Sequence, residues 1–120
     1  MPRARIGWKA VIRRRLTGRD AHYRGGLVAG AKILGLFGDA ATALCLRETG
    51  GRDEGLFRAY RSVEFLKPVH AGDSVEVTAR MIKIGTTSRT MRFTCRKTRP
   101  RRAVTTRAVG TVVIPLLKKS

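Results

Sequence analysis

The chain has 120 residues, 42% of them hydrophobic, and its 26 Lys and Arg against 8 Asp and Glu give a formal net charge of +18. That length holds one domain with a modest core. The hydrophobic content excludes a disordered chain, and no apolar run is long enough to span a bilayer, so no membrane partner is expected. The N-terminal MPRARIGWKAVIRRR is basic but lacks the apolar block of a secretory signal, which predicts a cytoplasmic protein. Cys45 and Cys95 show no disulfide or metal spacing and read as reduced core thiols. Arginine dominates the charge, and a guanidinium pairs bidentately with phosphate oxygens. A polyanionic partner and a merely solvated, arginine-biased surface are both compatible with it, and nucleic-acid affinity would follow from charge alone.

In chain order, Lys9 to Leu16 is a candidate strand whose arginine run exposes at least one face. Thr17 to Arg24 carries turn and cap chemistry, with Asp20 the best polar start signal. Leu27 to Glu48 has apolar residues at spacings of three and four all round the axis, and Gly50-Gly51 ends that helix. The period then changes to two. Leu56 to Leu66 alternates, with Phe57, Ala59, Val63 and Phe65 on one face and Arg58, Tyr60, Ser62 and Glu64 on the other, and Pro68 closes the strand. Ala71-Gly72-Asp73 turns the chain. Ser74 to Ile84 and Arg89 to Thr98 form a hairpin about Gly85-Thr86-Thr87. Pro100-Arg101-Arg102 is a basic loop, Ala103 to Pro115 a last strand, and Leu116 to Ser120 a fraying tail.

The order is a strand, one long helix and four antiparallel strands, an α+β domain spanning residues 1–120. A helix apolar nearly all round is expected to be buried all round, hence wrapped by the sheet rather than laid upon it. Asp39 sits in the middle of that helix. A buried acid is costly unless paired or used, and burial would push its pKa up toward the range useful for proton transfer. Its same-face helical neighbours are Lys32, Gly35 and Thr42, with Lys32 a candidate partner. His22 and His70 are too far apart, and too poor in neighbouring ligands, to make a metal site, so no metal is expected.

Two segments carry a family resemblance. DAHYRGGLVAGAKILGLFGDAATAL (Asp20 to Leu44) and DEGLFRAYRSVEFLKPVHAGDSVEVTARMIKIGTTSRTMRF (Asp53 to Phe93) together span more than half of the chain. The second is similar to the acyl-CoA thioesterase branch of the hotdog superfamily, through its Pro-Val-x-x-Gly-Asp turn and Gly-x-Thr-Ser hairpin. The wording DAHY, LFGDAAT, DEGLFRAY and TSR resembles the 3-aminobutyryl-CoA ammonia-lyases of that superfamily, enzymes of lysine fermentation. The resemblance implies a curved sheet of about five strands around one helix. It also implies a homodimer or trimer of dimers with acyl-CoA bound between subunits, and no cofactor beyond the coenzyme A of the substrate. Where many thioesterase-type relatives have a polar residue, often Asn, ahead of the helix, this chain has Arg24-Gly25-Gly26, which argues against water attack on the thioester.

Eliminating ammonia from a 3-aminoacyl-CoA needs a polarised thioester carbonyl, a base for the α-proton and a hold on the leaving amine. Gly25 and Gly26, read as the start of the helix, would offer backbone N–H groups at the positive end of its dipole. Asp39 is the first candidate for the acid/base. Glu64 and Glu54 compete for the second carboxylate, with Glu54 in a loop that approaches the neighbouring subunit in this family. His22 or Tyr23 would donate to the substrate or line the acyl pocket. Thr87, Ser88 and Arg89 are candidates for pantetheine or phosphate contact, and Arg96, Lys97, Arg101 and Arg102 for the phosphates. The competing functions are thioester hydrolysis on the same scaffold and non-catalytic binding of acyl-CoA or nucleic acid.

Overall fold

The computed structural model describes residues 3–99 and 101–119, without the side chains of His22, Lys118 and Lys119. Strand β1 (Lys9–Arg15) leads through a short 3-10 turn to β2 (Ala21–Tyr23), a second such turn and β3 (Leu27–Val28). Helix α1 (Gly30–Thr49) comes next, then the long strands β4 (Leu56–Phe65), β5 (Ser74–Ile84), β6 (Ser88–Arg99) and β7 (Ala103–Val113). The five long strands form one antiparallel sheet in the order β1-β5-β6-β7-β4, and β2 pairs with β3 in a separate ribbon. The predicted strands and turns stand within a residue or two of these bounds. The tail is ordered further than expected: residues Pro115–Lys119 form a 3-10 turn, tied down where the Leu116 N–H donates to Asp53 Oδ2 at 3.0 Å.

The helix begins later than its periodicity predicts. Leu27 and Val28 fit a helical spacing, but the Val28 N–H donates to the Val69 carbonyl and the pair is extended against Ala21 and Tyr23. Asp20 does not cap the long helix. Its carboxylate accepts the Thr17 N–H at 2.8 Å in a capping box on the first 3-10 turn and pairs with Lys32 Nζ at 3.3 Å. Lys32 is therefore spent on Asp20 and not on Asp39. The C-terminus matches expectation: Gly50 is left-handed at φ 62° and its N–H closes on the Leu46 carbonyl.

Only one stripe of α1 meets the sheet of its own chain. Ile33, Leu36, Phe37, Ala40, Ala41, Leu44 and Cys45 are buried, whereas Ala31, Lys32, Gly35, Asp39, Ala43 and Arg47 are exposed or only half-buried. The expectation of a helix wrapped on every side is corrected accordingly. Across from the buried stripe stand Val75, Val77, Ala79 and Met81 of β5, Met91, Phe93 and Cys95 of β6, and Ala108 and Val112 of β7, all buried. At its centre Phe37 stacks on Phe93 at 5.2 Å between ring centroids, and Phe57 and Tyr60 complete the pile. Each fully buried ring contributes on the order of 2–3 kcal/mol.

Strand β4 breaks its expected alternation. The register against β7 shifts between Phe57 and Ala59 and again between Arg61 and Glu64, where Ser62 takes φ 58°. Each added residue flips the facing of the residues beyond it. Tyr60, expected outside, turns inward and its hydroxyl donates to the Leu34 carbonyl at 3.0 Å. Ala59, expected inside, is exposed.

Candidate functional site

The first-turn N–H groups of a helix need partners, and in α1 the N-cap is Ala29, which has no side chain able to supply one. The Lys32 N–H turns back onto the Ala29 carbonyl at 3.0 Å, which leaves the Gly30 and Ala31 N–H groups beside an apolar cavity of about 360 Å³ lined by Leu27, Val28, Gly30, Ile33, the run Phe65 to Val69, and Thr106. Gly30 leaves room there that a side chain would take. A Cβ on it would stand 2.5 Å from Cε1 of the Phe65 ring. Phe65 itself is 58% exposed, so its ring walls the cavity from outside. Apolar walls and uncapped donors at the positive end of a helix suit a carbonyl oxygen that gains negative charge, carried on an apolar chain.

The predicted site residues distribute around this cavity unevenly. Gly25 and Gly26, at φ 71° and 74°, form the left-handed turn between β2 and β3 and are not the start of the helix. The Gly26 carbonyl accepts the Ala71 N–H at 2.8 Å, so the turn holds the loop that walls the cavity. Donation to a carbonyl passes to the first turn of α1. Tyr23 stands on β2 beside that turn, 60% exposed. The side chain of His22 lies outside the described residues; its backbone belongs to β2.

Asp39 lies on the side of α1 turned away from the sheet, nine residues beyond Gly30 and so about 13 Å along the axis. Its own chain does not bury it. Glu64 does not line the cavity within one chain: it sits across from Arg107, with Oε1 3.6 Å from its guanidinium and both side chains half exposed. Glu54 is exposed in the loop after α1, at the far end of the fold from the cavity.

Arg89 is not available to a phosphate. It is 5% exposed, and its Nε and Nη2 donate to the two carboxylate oxygens of Glu48, itself 5% exposed, at 2.8 and 2.6 Å. Its Nη1 donates to the carbonyls of Gly85 and Ser88. All three guanidinium nitrogens are used to lock the β5–β6 hairpin to the C-terminal end of α1. Thr87 and Ser88 in that hairpin are half-buried; the Thr87 carbonyl accepts the Ile114 N–H. Of the arginines and lysine proposed for phosphates, Lys97 pairs with Asp73 at 3.1 Å, while Arg96, Arg101 and Arg102 are exposed. Among the described residues no three His, Cys, Asp or Glu side chains stand close enough to share a metal ion, and no helix is long and apolar enough to cross a membrane.

Sequence reasoning missed Gly30 and the run from Phe65 to Val69. Their signal was weak: a glycine followed by a helix without a polar cap, and a strand-end Phe beside a proline. Only the fold shows that the two segments meet.

Comparison with known proteins places this arrangement. Residues 25–104 match the thioesterase superfamily. The chain is 53% identical over 89 residues to the 3-aminobutyryl-CoA ammonia lyase of Acetoanaerobium sticklandii, an alignment covering 74% of this chain and 69% of that protein. The solved structure of β-alanyl-CoA:ammonia lyase from Clostridium propionicum superposes with a TM-score of 0.81 at 30% identity, over 92% of this chain and 87% of that one. A hexameric thioesterase from Yersinia pestis superposes with a TM-score of 0.78 at 27% identity, over 89% and 86%. On its sequence match and its five-stranded sheet carrying one long helix, the chain belongs to the thioesterase superfamily of hotdog proteins.

Proposed function

We propose that this protein is a carbon–nitrogen lyase that eliminates ammonia from 3-aminobutyryl-CoA to give crotonyl-CoA, reversibly, at sites shared between two protomers. The observation that carries the reading is the 53% identity to the Acetoanaerobium sticklandii lyase over 89 residues. The four-carbon acyl group lies in the apolar cavity, and its thioester oxygen accepts from the first-turn N–H groups of α1. Such donors stabilise a developing enolate by about 3 kcal/mol each. A carboxylate removes the α-proton, the C3–N bond breaks, and the electron pair of the C–H bond becomes the C2–C3 double bond. Ammonia leaves with the electron pair of the C3–N bond, and the carboxylic acid gives its proton to that pair.

Within one chain neither Asp39 nor Glu54 reaches this cavity, so a partner must complete the site. Strand β4 is an exposed edge with Leu56, Phe57 and Phe65 uncovered. An edge of this kind pairs with another edge unless it is blocked. Antiparallel pairing of β4 with its copy about the middle of the strand sets Leu56 of one protomer beside Phe65 of the other. Glu54 of the partner subunit then approaches the cavity, where it holds the substrate ammonium. Thr87 and Ser88 lie at the same end of the sheet as Leu56, because Ser88 and Leu56 both face Val113, which supports a pantetheine contact there. Asp39, on the uncovered helix face, serves as the acid/base.

Thioester hydrolysis is the second reading, favoured by the family match and the Yersinia pestis thioesterase. Incubation with crotonyl-CoA and ammonia, followed by mass spectrometry, separates the two. Formation of 3-aminobutyryl-CoA by the wild type and its loss in Asp39→Asn supports the lyase and its base. Release of free coenzyme A in place of the amine overturns it in favour of the thioesterase.

A further inference from the structure

The face of the sheet turned away from α1 carries a groove that the acyl-CoA site does not use. It has a volume of about 280 Å³ and is lined by Lys9 and Val11 of β1, Glu76, Thr78 and Arg80 of β5, and Arg92, Thr94 and Arg96 of β6. The register places Lys9 directly across from Arg80, and Arg80 directly across from Arg92. Like charges in facing positions destabilise a sheet, and here three cations stand in one row. Lys9, Arg80, Arg92 and Arg96 are all exposed and have no ion-pair partner among the described residues. The groove's single acid, Glu76, is taken by Arg13 at 3.2 Å. Thr78 and Thr94 stand across from each other between the cations and add neutral hydroxyls to the groove.

The groove does not end there. A second one, lined by Arg13, Arg14, Arg15, Ser74 and Thr98, adjoins it at Glu76. Together they track β1 from Lys9 to Arg15, a length of about 20 Å at strand rise. A track of that length fits an extended polyanion better than a compact one. A second copy of this face is excluded as the occupant, since it would oppose the same cations. None of the side chains in the first groove is aromatic, so there is no platform on which a base would stack. Recognition would rest on phosphates alone and be independent of base sequence.

We propose that this outer sheet face binds one phosphate strand of a nucleic acid, with Lys9, Arg80, Arg92 and Arg96 as its contacts. The proposal does not depend on the lyase reading. Its test is fluorescence anisotropy of a labelled oligothymidylate with the full-length protein across a range of KCl concentrations. Neutralising four phosphates predicts that log K falls with log salt with a slope of about −3. Replacing Lys9, Arg80, Arg92 and Arg96 together by Gln is expected to weaken binding at least about tenfold and flatten that slope, with a retained circular dichroism spectrum and urea midpoint as the check on folding. Arg80→Lys with Arg92→Lys keeps the charge and is expected to keep binding. An equal loss when Arg3, Arg5, Arg19 and Lys83 are replaced by Gln instead would overturn the proposal, because net charge alone would then account for the affinity. Displacement of the oligonucleotide by coenzyme A would also overturn it, since the face would then serve the substrate's own phosphates.

Discussion

The Glu48–Arg89 pair is the most consequential charged contact in the chain. Two unit charges are removed from water, and each oxygen of Glu48 accepts from Arg89. Cutting one partner out leaves the other charged and buried, which costs about 3–5 kcal/mol, whereas replacing both by apolar side chains of similar size costs far less. Arg89→Ala is therefore expected to lower the urea midpoint sharply and Glu48→Leu with Arg89→Met to restore much of it, read by equilibrium unfolding with circular dichroism. If Arg89 instead bound phosphate, Arg89→Ala would spare stability and raise the KM for acyl-CoA. The two cysteines make a second case. Burial raises the Cys45 thiol to about 12, helped by the nearby Glu48 and Asp53 carboxylates, and burial raises Cys95 as well. Because the thiolate is the nucleophile, neither is expected to react with Ellman's reagent in the native protein at pH 8. Both are expected to react at once in denaturant. Rapid labelling of the folded protein would contradict that burial.

At the scale of elements, the five long strands were legible because alternation is local: β5, β6 and β7 each bury every second residue over most of their length, and turns marked by Gly, Asp or Pro separate them. The start of α1 was not, because Leu27 and Val28 suit either period and Ala29 carries no cap signal. Arg89 reads as a surface cation in a hairpin turn, and nothing near it in sequence announces Glu48, 41 positions away. The cavity was illegible for the same reason, since Gly30 and Phe65 meet only across the fold. Their contact is testable. The Phe65 ring must shift when Gly30→Ala adds a Cβ. Stability is then expected to fall by about 1–3 kcal/mol while the cavity is reshaped and KM for a four-carbon acyl-CoA rises. Phe65→Ala is expected to widen the cavity and improve the turnover of longer acyl chains relative to short ones, measured as a ratio of kcat/KM values. An unchanged ratio would place the acyl chain elsewhere.

At the scale of the molecule, the single chain leaves three surfaces unfinished: the apolar edge of β4, the outward face of α1 with Asp39, and the open side of the cavity. The proposed two-fold pairing of β4 would repeat each contact it makes and cover that edge. Strand β4 spans ten residues, about 34 Å, close to the 30 Å of the twenty-residue α1. Pairing about its middle therefore brings the end of one protomer that carries Glu54 to the end of the other that carries Gly30. The consequence is a complementation test. Glu54→Gln removes the ammonium contact, and Gly30→Leu fills the cavity, so each variant alone is expected to be inactive as a homodimer. In a hybrid of the two, one site carries both lesions and the other carries neither. Refolding them together in equal amounts is expected to restore about a quarter of the wild-type activity, from half the dimers each holding one intact site. If Glu54 served the cavity of its own chain, every site in the hybrid would carry one lesion, and mixing would restore nothing.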